Sequence, residues 1–544
     1  MFSIFKRFSL SSTQLVIILS LYFATILNYA FYREVISLQS FNVNLPETYF
    51  VLTIPLVLFC ALIIVIQILS LPILHKVIIP FLLIISSAIS YNEIFFSIFF
   101  DKDMLDNVLQ TNTAESMRMM TTSYISWIVI LGIIPSLLYI ATKVKYKSFL
   151  REIMTRIATI LLSMLIILGV AKFFYQDYAS FFRNNKNVAH LILPSNFVAS
   201  SIKKIRHLQR ENIPYTQIDV DAQQEKPDNY RHVTVLIVGE TTRAQNWGLN
   251  GYKRQTTPLL AKRGEEIFNF SKVSSCGTAT AISVPCMFSA FTRENYDAAK
   301  AAKQDNILDI LQRSNIDLMW IDNNSDCKGV CERIPNKTVI NLNLPEFCRN
   351  GECLDNIMLP ELDKVLDEQN EKDLVVILHT IGSHGPTYYE RYTKEYRHFE
   401  PTCDTNEINR CNDQQLVNTY DNTIVYQDQF IDKVIQRLEN KDNWESAVFY
   451  VSDHGESLGE SGIYLHGAPY SIAPDYQTKV PMIMWFSKAF LKNEPFDFEC
   501  LRENSQKQNY SHDNLFHTMF SLMDMDTDLG SYNVHLDILA QCKK

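Results

Sequence analysis

The chain is 544 residues long, too long for one hydrophobic core of ordinary size, so more than one domain is expected. Its net charge of -9 separates it from the basic proteins that hold nucleic acid, and no nucleic-acid partner is expected. Charged residues are 20% of the chain but sparse before Phe174 and frequent after it, which places a domain division near that point.

The first third contains five apolar stretches: Leu15 to Tyr32, Tyr49 to Leu74, Val77 to Phe100, Ile125 to Ala141 and Ile157 to Phe174. Each is long enough to cross about 30 Å of hydrocarbon, and five of them joined by short charged loops are not the core helices of a soluble domain. Leu15 to Tyr32 lacks the small-residue cleavage site of a signal peptide. A five-helix transmembrane domain over residues 1–174 is therefore predicted. Lys6, Arg7, Lys76, Lys143, Lys145, Lys147, Arg151 and Arg156 fall on one side of the membrane, against Arg33, Lys102 and Arg118 on the other. Because Lys and Arg resist translocation, the amino terminus is cytoplasmic, and an odd number of spans exports everything after Phe174.

Residues 175–223 are read as a linker containing a short amphipathic helix on the membrane surface. Phe181, Phe182 and Phe197 are expected to enter the interface, and Lys203, Lys204, Arg206 and Arg210 to meet anionic headgroups; a plain solvated linker is the alternative. From Val233, short β-branched runs alternate with helical periods, so residues 224–544 are predicted to form an α/β domain with a mostly parallel central sheet. Its strand candidates are Val233 to Val238, Asp317 to Ile321, Leu374 to His379, Ala447 to Val451 and Val480 to Phe486.

Of eleven cysteines, Cys60 lies within a span and the other ten lie in the exported part, an even number suited to an oxidising compartment. The sequence leaves the pairing open. Short separations favour Cys276 with Cys286, Cys327 with Cys331, Cys348 with Cys353 and Cys403 with Cys411, leaving Cys500 with Cys542 by elimination. A structural zinc cluster is the weaker reading, because the spacings repeat no CxxC knuckle.

Chemistry concentrates just past the strand candidates, where the active residues of such sheets collect. Glu240 follows Val235-Leu236-Ile237-Val238-Gly239, and the glycine is expected to turn the chain so that the carboxylate faces the sheet edge. Asp453 and His454 follow Phe449-Tyr450-Val451-Ser452 in the same way. Two carboxylates, one imidazole and the hydroxyl of Thr280 have the ligand mix of catalytic zinc. An alcohol is too weak an acid to attack phosphorus at neutral pH, and coordination to zinc is what lowers its acidity constant. Thr280 is thus the candidate nucleophile, with Thr278 and Ser283 as rivals, in a loop that a Cys276–Cys286 bridge would hold still. His384 in Gly382-Ser383-His384-Gly385-Pro386 and His466 in Tyr464-Leu465-His466-Gly467 are candidates for binding phosphate oxygens, protonating a leaving group or holding a second zinc, whereas His379, inside a strand, is read as structural.

Gly239-Glu240-Thr241-Thr242-Arg243, the Cys276-Gly277-Thr278-Ala279-Thr280 loop, Ser383-His384-Gly385-Pro386 and Ser452-Asp453-His454-Gly455-Glu456 together resemble the phosphoethanolamine transferases that modify lipid A. That family has five transmembrane helices and a periplasmic domain of the alkaline phosphatase and sulfatase type. The resemblance implies a bacterial inner-membrane enzyme with Thr280 as the phosphoethanolamine acceptor and Glu240, Thr280, Asp453 and His454 around Zn2+. It also implies that His384 and His466 bind substrate or an additional zinc, and that Asn324 and Lys328 hold the donor headgroup. Asn107 and Glu115 resemble family positions near the same pocket. The implied donor is phosphatidylethanolamine, the implied acceptor a phosphate of lipid A, and the consequence polymyxin resistance; a monomer is expected.

A sulfatase is disfavoured because threonine cannot give the formylglycine aldehyde. Transfer to inner-core sugars, a phosphoglycerol transferase and a phosphatase remain as alternatives. A sensor or transporter with an inactive ectodomain would need charged relays within several spans, yet the main intramembrane acid is Glu93.

Overall fold

The computed structural model describes residues 9–38, 49–70, 74–96, 100, 104–105, 121–211, 213–225, 230–368, 372–441 and 443–544. Asn107 and Glu115 lie outside them. The chain forms two compact units, residues 1–212 and 213–544, so the division falls inside the segment predicted as a linker.

Among the described residues of the first unit, four helices are long and apolar enough to cross a membrane, or five when the bent pair α1 (Ser12–Leu27) and α2 (Tyr29–Leu38) counts as one span. The others are α3 (Phe50–Leu69), α4 (His75–Phe96), α5 (Thr122–Ala141) and α6 (Phe149–Asn184). The 51° bend has an identifiable cause. Buried Asn28 donates its amide to Phe23 O at 2.8 Å and Leu193 O at 2.9 Å, and accepts from Leu193 N at 2.9 Å. The side chain thus ties the break between the two helices to the Leu193 backbone, while Phe23 O also accepts the backbone N–H of Asn28 at 3.2 Å.

Helix α6 continues past Phe174, where apolarity ends, with a kink at that residue (φ -126°, ψ 16°). The continuation is held by aromatic packing: Tyr178 and Phe181 lie 5.4 and 5.8 Å from Phe50, ring centre to ring centre. This corrects one expectation. Phe181 is buried in the membrane unit's own apolar cluster, with Phe182 and Phe197 packed against it, instead of facing an interface. The exposed apolar stripe on α7 (Ser195–Glu211) is formed by Val198, Ile202, Ile205 and Leu208, at helical spacing.

The second unit is built on a seven-stranded sheet: β1 (Arg231–Gly239), β2 (Ile267–Phe270), β3 (Asp317–Asp322), β4 (Asn336–Thr338), β5 (Leu374–His379), β6 (Trp444–Ser452) and β7 (Met482–Phe486). Its spatial order is β2-β7-β6-β1-β5-β3-β4. Strands β6, β1, β5, β3 and β4 run parallel, and β7 pairs antiparallel with β6 and β2. Each predicted strand coincides with one of these. Sequence reading misses the two edge strands, β2 and β4, which are too short to show an apolar run. Helices including α8 (Thr280–Met287) and α9 (Asp413–Leu438) flank the sheet, and the disulfides join Cys276–Cys286, Cys327–Cys331, Cys348–Cys353, Cys403–Cys411 and Cys500–Cys542.

Register decides where the site forms. Gly239 pairs with Ser452, and His379 with both Val238 and Asp322, so the carboxyl ends of β1, β6, β5 and β3 finish level. The role expected of Gly239 is also corrected. It does not make the turn; a Cβ there would lie 2.7 Å from the Tyr450 ring, so it is the close packing of Tyr450 that requires glycine. The turn itself is made by Thr241, a non-glycine residue at φ 60°. Gly239→Ala is expected to destabilise the second unit by about 1–3 kcal/mol through overpacking, measured as a lowered urea midpoint. An unchanged midpoint would show that Tyr450 yields freely.

Candidate active site

Glu240 is the first residue after β1 and Asp453 the first after β6, with His454 next, and all three are fully buried. Their ligand atoms lie within 4.8 Å of one another. His454 Nε2 is 3.4 Å from both Glu240 Oε1 and Asp453 Oδ2. Thr280, the first residue of α8, brings its Oγ1 to 3.0 Å from Glu240 Oε2 and 3.3 Å from His454 Nε2. Three chain segments therefore present four ligand-type atoms to one point.

The surrounding hydrogen bonds orient each of these groups. Glu240 Oε2 accepts from Asn324 Nδ2 at 2.8 Å, and Oε1 accepts from the Thr241 hydroxyl. Asp453 Oδ1 takes the backbone N–H groups of Thr241 and His454 at 3.0 and 2.6 Å. His454 Nδ1 lies 2.9 Å from Gly455 O; a carbonyl only accepts, so Nδ1 carries a proton, and Nε2, which faces the cluster, is the nitrogen that offers a lone pair once it is deprotonated. Asp453 Oδ2, buried, accepts no hydrogen bond. A buried carboxylate oxygen without a donor is costly unless a cation meets it, so this donor set fits a divalent metal ion.

In the absence of metal the cluster competes for protons. Burial, joined by the charge of Glu240, pushes Asp453 up to about 7. For His454 burial acts downward, but Asp453 and Glu240 outweigh it and raise the imidazole to about 9. Glu240 itself is held well below the usual carboxylate range, burial being overcome by its hydrogen bond and attraction to His454.

The rival hydroxyls are committed elsewhere. Ser283 Oγ donates to Asp453 O at 2.5 Å and accepts from Gly277 N at 2.9 Å, and Thr278 Oγ1 donates to Ala468 O at 2.6 Å. His466 stands beside the cluster, its ring centre 4.3 Å from that of His454 and its Nδ1 2.6 Å from Glu456 Oε2. His384 is 5.7 Å from His466, ring to ring. Both are half-buried, as is Thr280, so they border the accessible side of the site. Asn324 donates its amide to Glu240 and to Thr380 O at 2.9 Å. Lys328, at φ 53°, turns its ammonium to Ser325 Oγ at 2.6 Å and Asp326 Oδ1 at 2.9 Å.

Three supporting groups escaped sequence reading. His512 accepts from Cys276 N at 3.0 Å through Nδ1 and donates through Nε2 to Ser452 O at 2.9 Å, tying the loop that carries Thr280 to the end of β6. Burial pushes it down to about 4, which keeps it in the neutral form that both bonds require. Arg243 is buried and donates to Asn246 Oδ1, Glu456 O and Glu460 Oε1 at 2.6, 3.1 and 2.6 Å. Asp322 accepts from His379 Nδ1 at 3.0 Å and from Asn324 N at 2.8 Å, behind Glu240. His512 stands alone in a polar stretch 46 residues after His466, the nearest candidate site residue, so nothing local marked it.

Comparison with known proteins decides the family. Residues 232–525 match the Sulfatase family, and residues 58–208 match the family described as Phosphoethanolamine transferase EptA/EptB. Phosphoethanolamine transferase EptA of Escherichia coli (strain K12) is 42% identical over 99% of this chain and 98% of its own length. The chain belongs to the phosphoethanolamine transferases. Phosphatidylethanolamine transferase Mcr-1 of Escherichia coli is 37% identical over 89% of this chain and 92% of its own. The solved structure of the integral membrane protein lipooligosaccharide phosphoethanolamine transferase A (EptA) from Neisseria meningitidis is 57% identical, with a TM-score of 0.66, covering 98% of this chain and all of that one. This transferase is accordingly a multi-pass inner-membrane enzyme with a disulfide-bonded catalytic domain in the periplasm.

Because His454 must lose its proton to bind metal, uptake by the metal-free transferase at pH 7–8 is expected to release about one proton. Affinity should rise as pH increases toward 9; calorimetry in buffers of different ionisation enthalpy measures both, and a pH-independent affinity would contradict the arrangement. Asn324→Ala is expected to weaken metal binding about 10- to 100-fold by freeing Glu240, read by competition with a chelating dye.

Proposed function

We propose that this transferase moves phosphoethanolamine from phosphatidylethanolamine to a phosphate of lipid A, with Thr280 as the covalent carrier. The observation that supports it most is the position of Thr280 Oγ1, against both Glu240 and His454 at the first turn of α8. Glu240, Asp453, His454 and Thr280 would hold a zinc ion, which when bound supplies Lewis-acid stabilisation of phosphoryl charge and acidifies a hydroxyl.

The protein's own groups account for the rest. Glu240 Oε2 accepts the Thr280 hydroxyl and aims it. The amino terminus of α8 favours the negative charge that develops on the phosphoryl oxygens. In the first step the bond from Thr280 Oγ to phosphorus forms and the bond from phosphorus to the glycerol oxygen breaks, so diacylglycerol leaves with a proton. In the second, an oxygen of the acceptor phosphate bonds to phosphorus, the bond from phosphorus to Thr280 Oγ breaks, and the proton given up by the acceptor restores the Thr280 hydroxyl. His384 and His466, both half-buried beside the cluster, would hold phosphoryl oxygens or pass these protons. Lys328 supplies a cation for the anionic donor. Both substrates are lipids, and a catalytic domain anchored in the same membrane meets them at a raised effective concentration. The added ethanolamine cation lowers the negative charge of the outer surface and weakens attraction to cationic peptides, giving polymyxin resistance.

Mass spectrometry of lipid A from cells carrying the wild type or Thr280→Ala tests this. Phosphoethanolamine on lipid A is expected only with the wild type, together with a higher inhibitory concentration of polymyxin. Equal modification by Thr280→Ala would remove Thr280 as nucleophile, and modification confined to core sugars would change the acceptor.

A further inference from the structure

The two strands that carry the active site also converge on ligand-type residues at their opposite ends. His232, near the start of β1, and Glu445, near the start of β6, are direct partners in the parallel register. Each precedes its active-site counterpart, Glu240 or Asp453, by eight residues, about 26 Å along extended strands. Glu494 follows the helix Lys488–Asn493, and Asp524 sits in the turn after the helix Asp513–Leu522. His232, Glu494 and Asp524 each offer a ligand atom within 4.8 Å of the others. His232 Nε2 lies 3.0 Å from Glu445 Oε2 and 3.3 Å from Asp524 Oδ2, spacings close to the 3.4 Å that His454 Nε2 keeps from its two carboxylates.

Glu445 supplies the independent indication. Its residue is 1% exposed; Oε1 accepts from Asn493 Nδ2 at 2.6 Å, while Oε2, turned into the cluster, accepts no hydrogen bond. That is the condition of Asp453 Oδ2 in the active site. Three carboxylates beside one imidazole carry at least two net negative charges even when the imidazole is protonated, and burying such an excess is expensive without a cation. A cavity of about 930 Å³ adjoins Glu494 and Asp524 and has one cationic lining residue, Lys543, so an ion has a way in.

We propose that His232, Glu445, Glu494 and Asp524 form a second divalent-metal site, structural in role. One imidazole with three carboxylates suits a borderline cation such as zinc; calcium takes oxygen ligands alone. The site lies at the amino ends of the parallel strands, away from the edge where reacting ligands bind in such sheets. It ties the starts of β1 and β6 to the segments carrying Glu494 and Asp524, so its loss loosens the carboxyl-terminal part of the domain while transfer chemistry survives.

The full chain in detergent, saturated with zinc and then freed of excess, provides the test. Crystals of the unsubstituted protein measured at the zinc absorption edge are expected to show an anomalous peak about 2.0–2.2 Å from His232 Nε2 and an Asp524 carboxylate oxygen. Metal content is expected to fall by one equivalent in Asp524→Asn and in His232→Gln, with a lowered unfolding temperature and retained phosphoethanolamine transfer. Absence of a peak at His232, whatever is bound at Glu240, Asp453 and His454, overturns the proposal and leaves His232 and Glu445 as a buried ion pair. Unchanged metal content in folded forms of both variants overturns it as well, and if neither variant folds the diffraction measurement decides alone.

Discussion

The catalytic unit depends on the level finish of two adjacent parallel strands. Gly239 and Ser452 are register partners, so the next residues, Glu240 and Asp453, emerge side by side. Asp453 N bonds Gly239 O at 2.9 Å and Thr241 N bonds Asp453 Oδ1 at 3.0 Å, which locks the two turns together. The lock holds two mutually repelling buried carboxylates side by side, which makes a prepared seat for a cation. A slip of one residue would send one of them to the opposite face of the sheet.

Around this pair the protein spends its polar groups on aim. Asn324 and Thr241 hold Glu240, the Gly455 carbonyl sets the His454 tautomer, and Ser283 and His512 fasten the Thr280 loop to the end of β6. Small errors in such geometry cost large factors in rate, which gives a physical reason for so many buried side-chain bonds in one place. The glycines serve the same end by admitting close neighbours: a Cβ at Gly239 would strike Tyr450, and one at Gly455 would lie 2.1 Å from Tyr476 O.

The division of labour between the units follows from solvent. In the membrane unit the helices satisfy their own backbone groups, as hydrocarbon demands, and at the break the Asn28 side-chain amide meets both backbone groups of Leu193. In the periplasmic unit five disulfides close loops, four of them spanning ten residues or fewer, in a domain whose site motifs lie on loops.

Much was legible in the chain itself. Apolar length marks membrane spans because hydrocarbon thickness is constant, and apolar runs mark the five longer strands because both faces of this sheet are buried. The motifs around Glu240, Thr280, His384, Asp453 and His466 stood out because ligand chemistry restricts residue type. Only the tertiary structure decided that Thr280, and neither Thr278 nor Ser283, meets Glu240 and His454, since three hydroxyls within six positions are equivalent until a helix start orients them. It also decided that Thr241 makes the turn credited to Gly239, that Asn324 serves Glu240, and that His512 and the His232–Glu445 pair take part in the design. Those facts rest on contacts between residues tens to hundreds of positions apart, and local pattern carries no record of which distant group a side chain will meet.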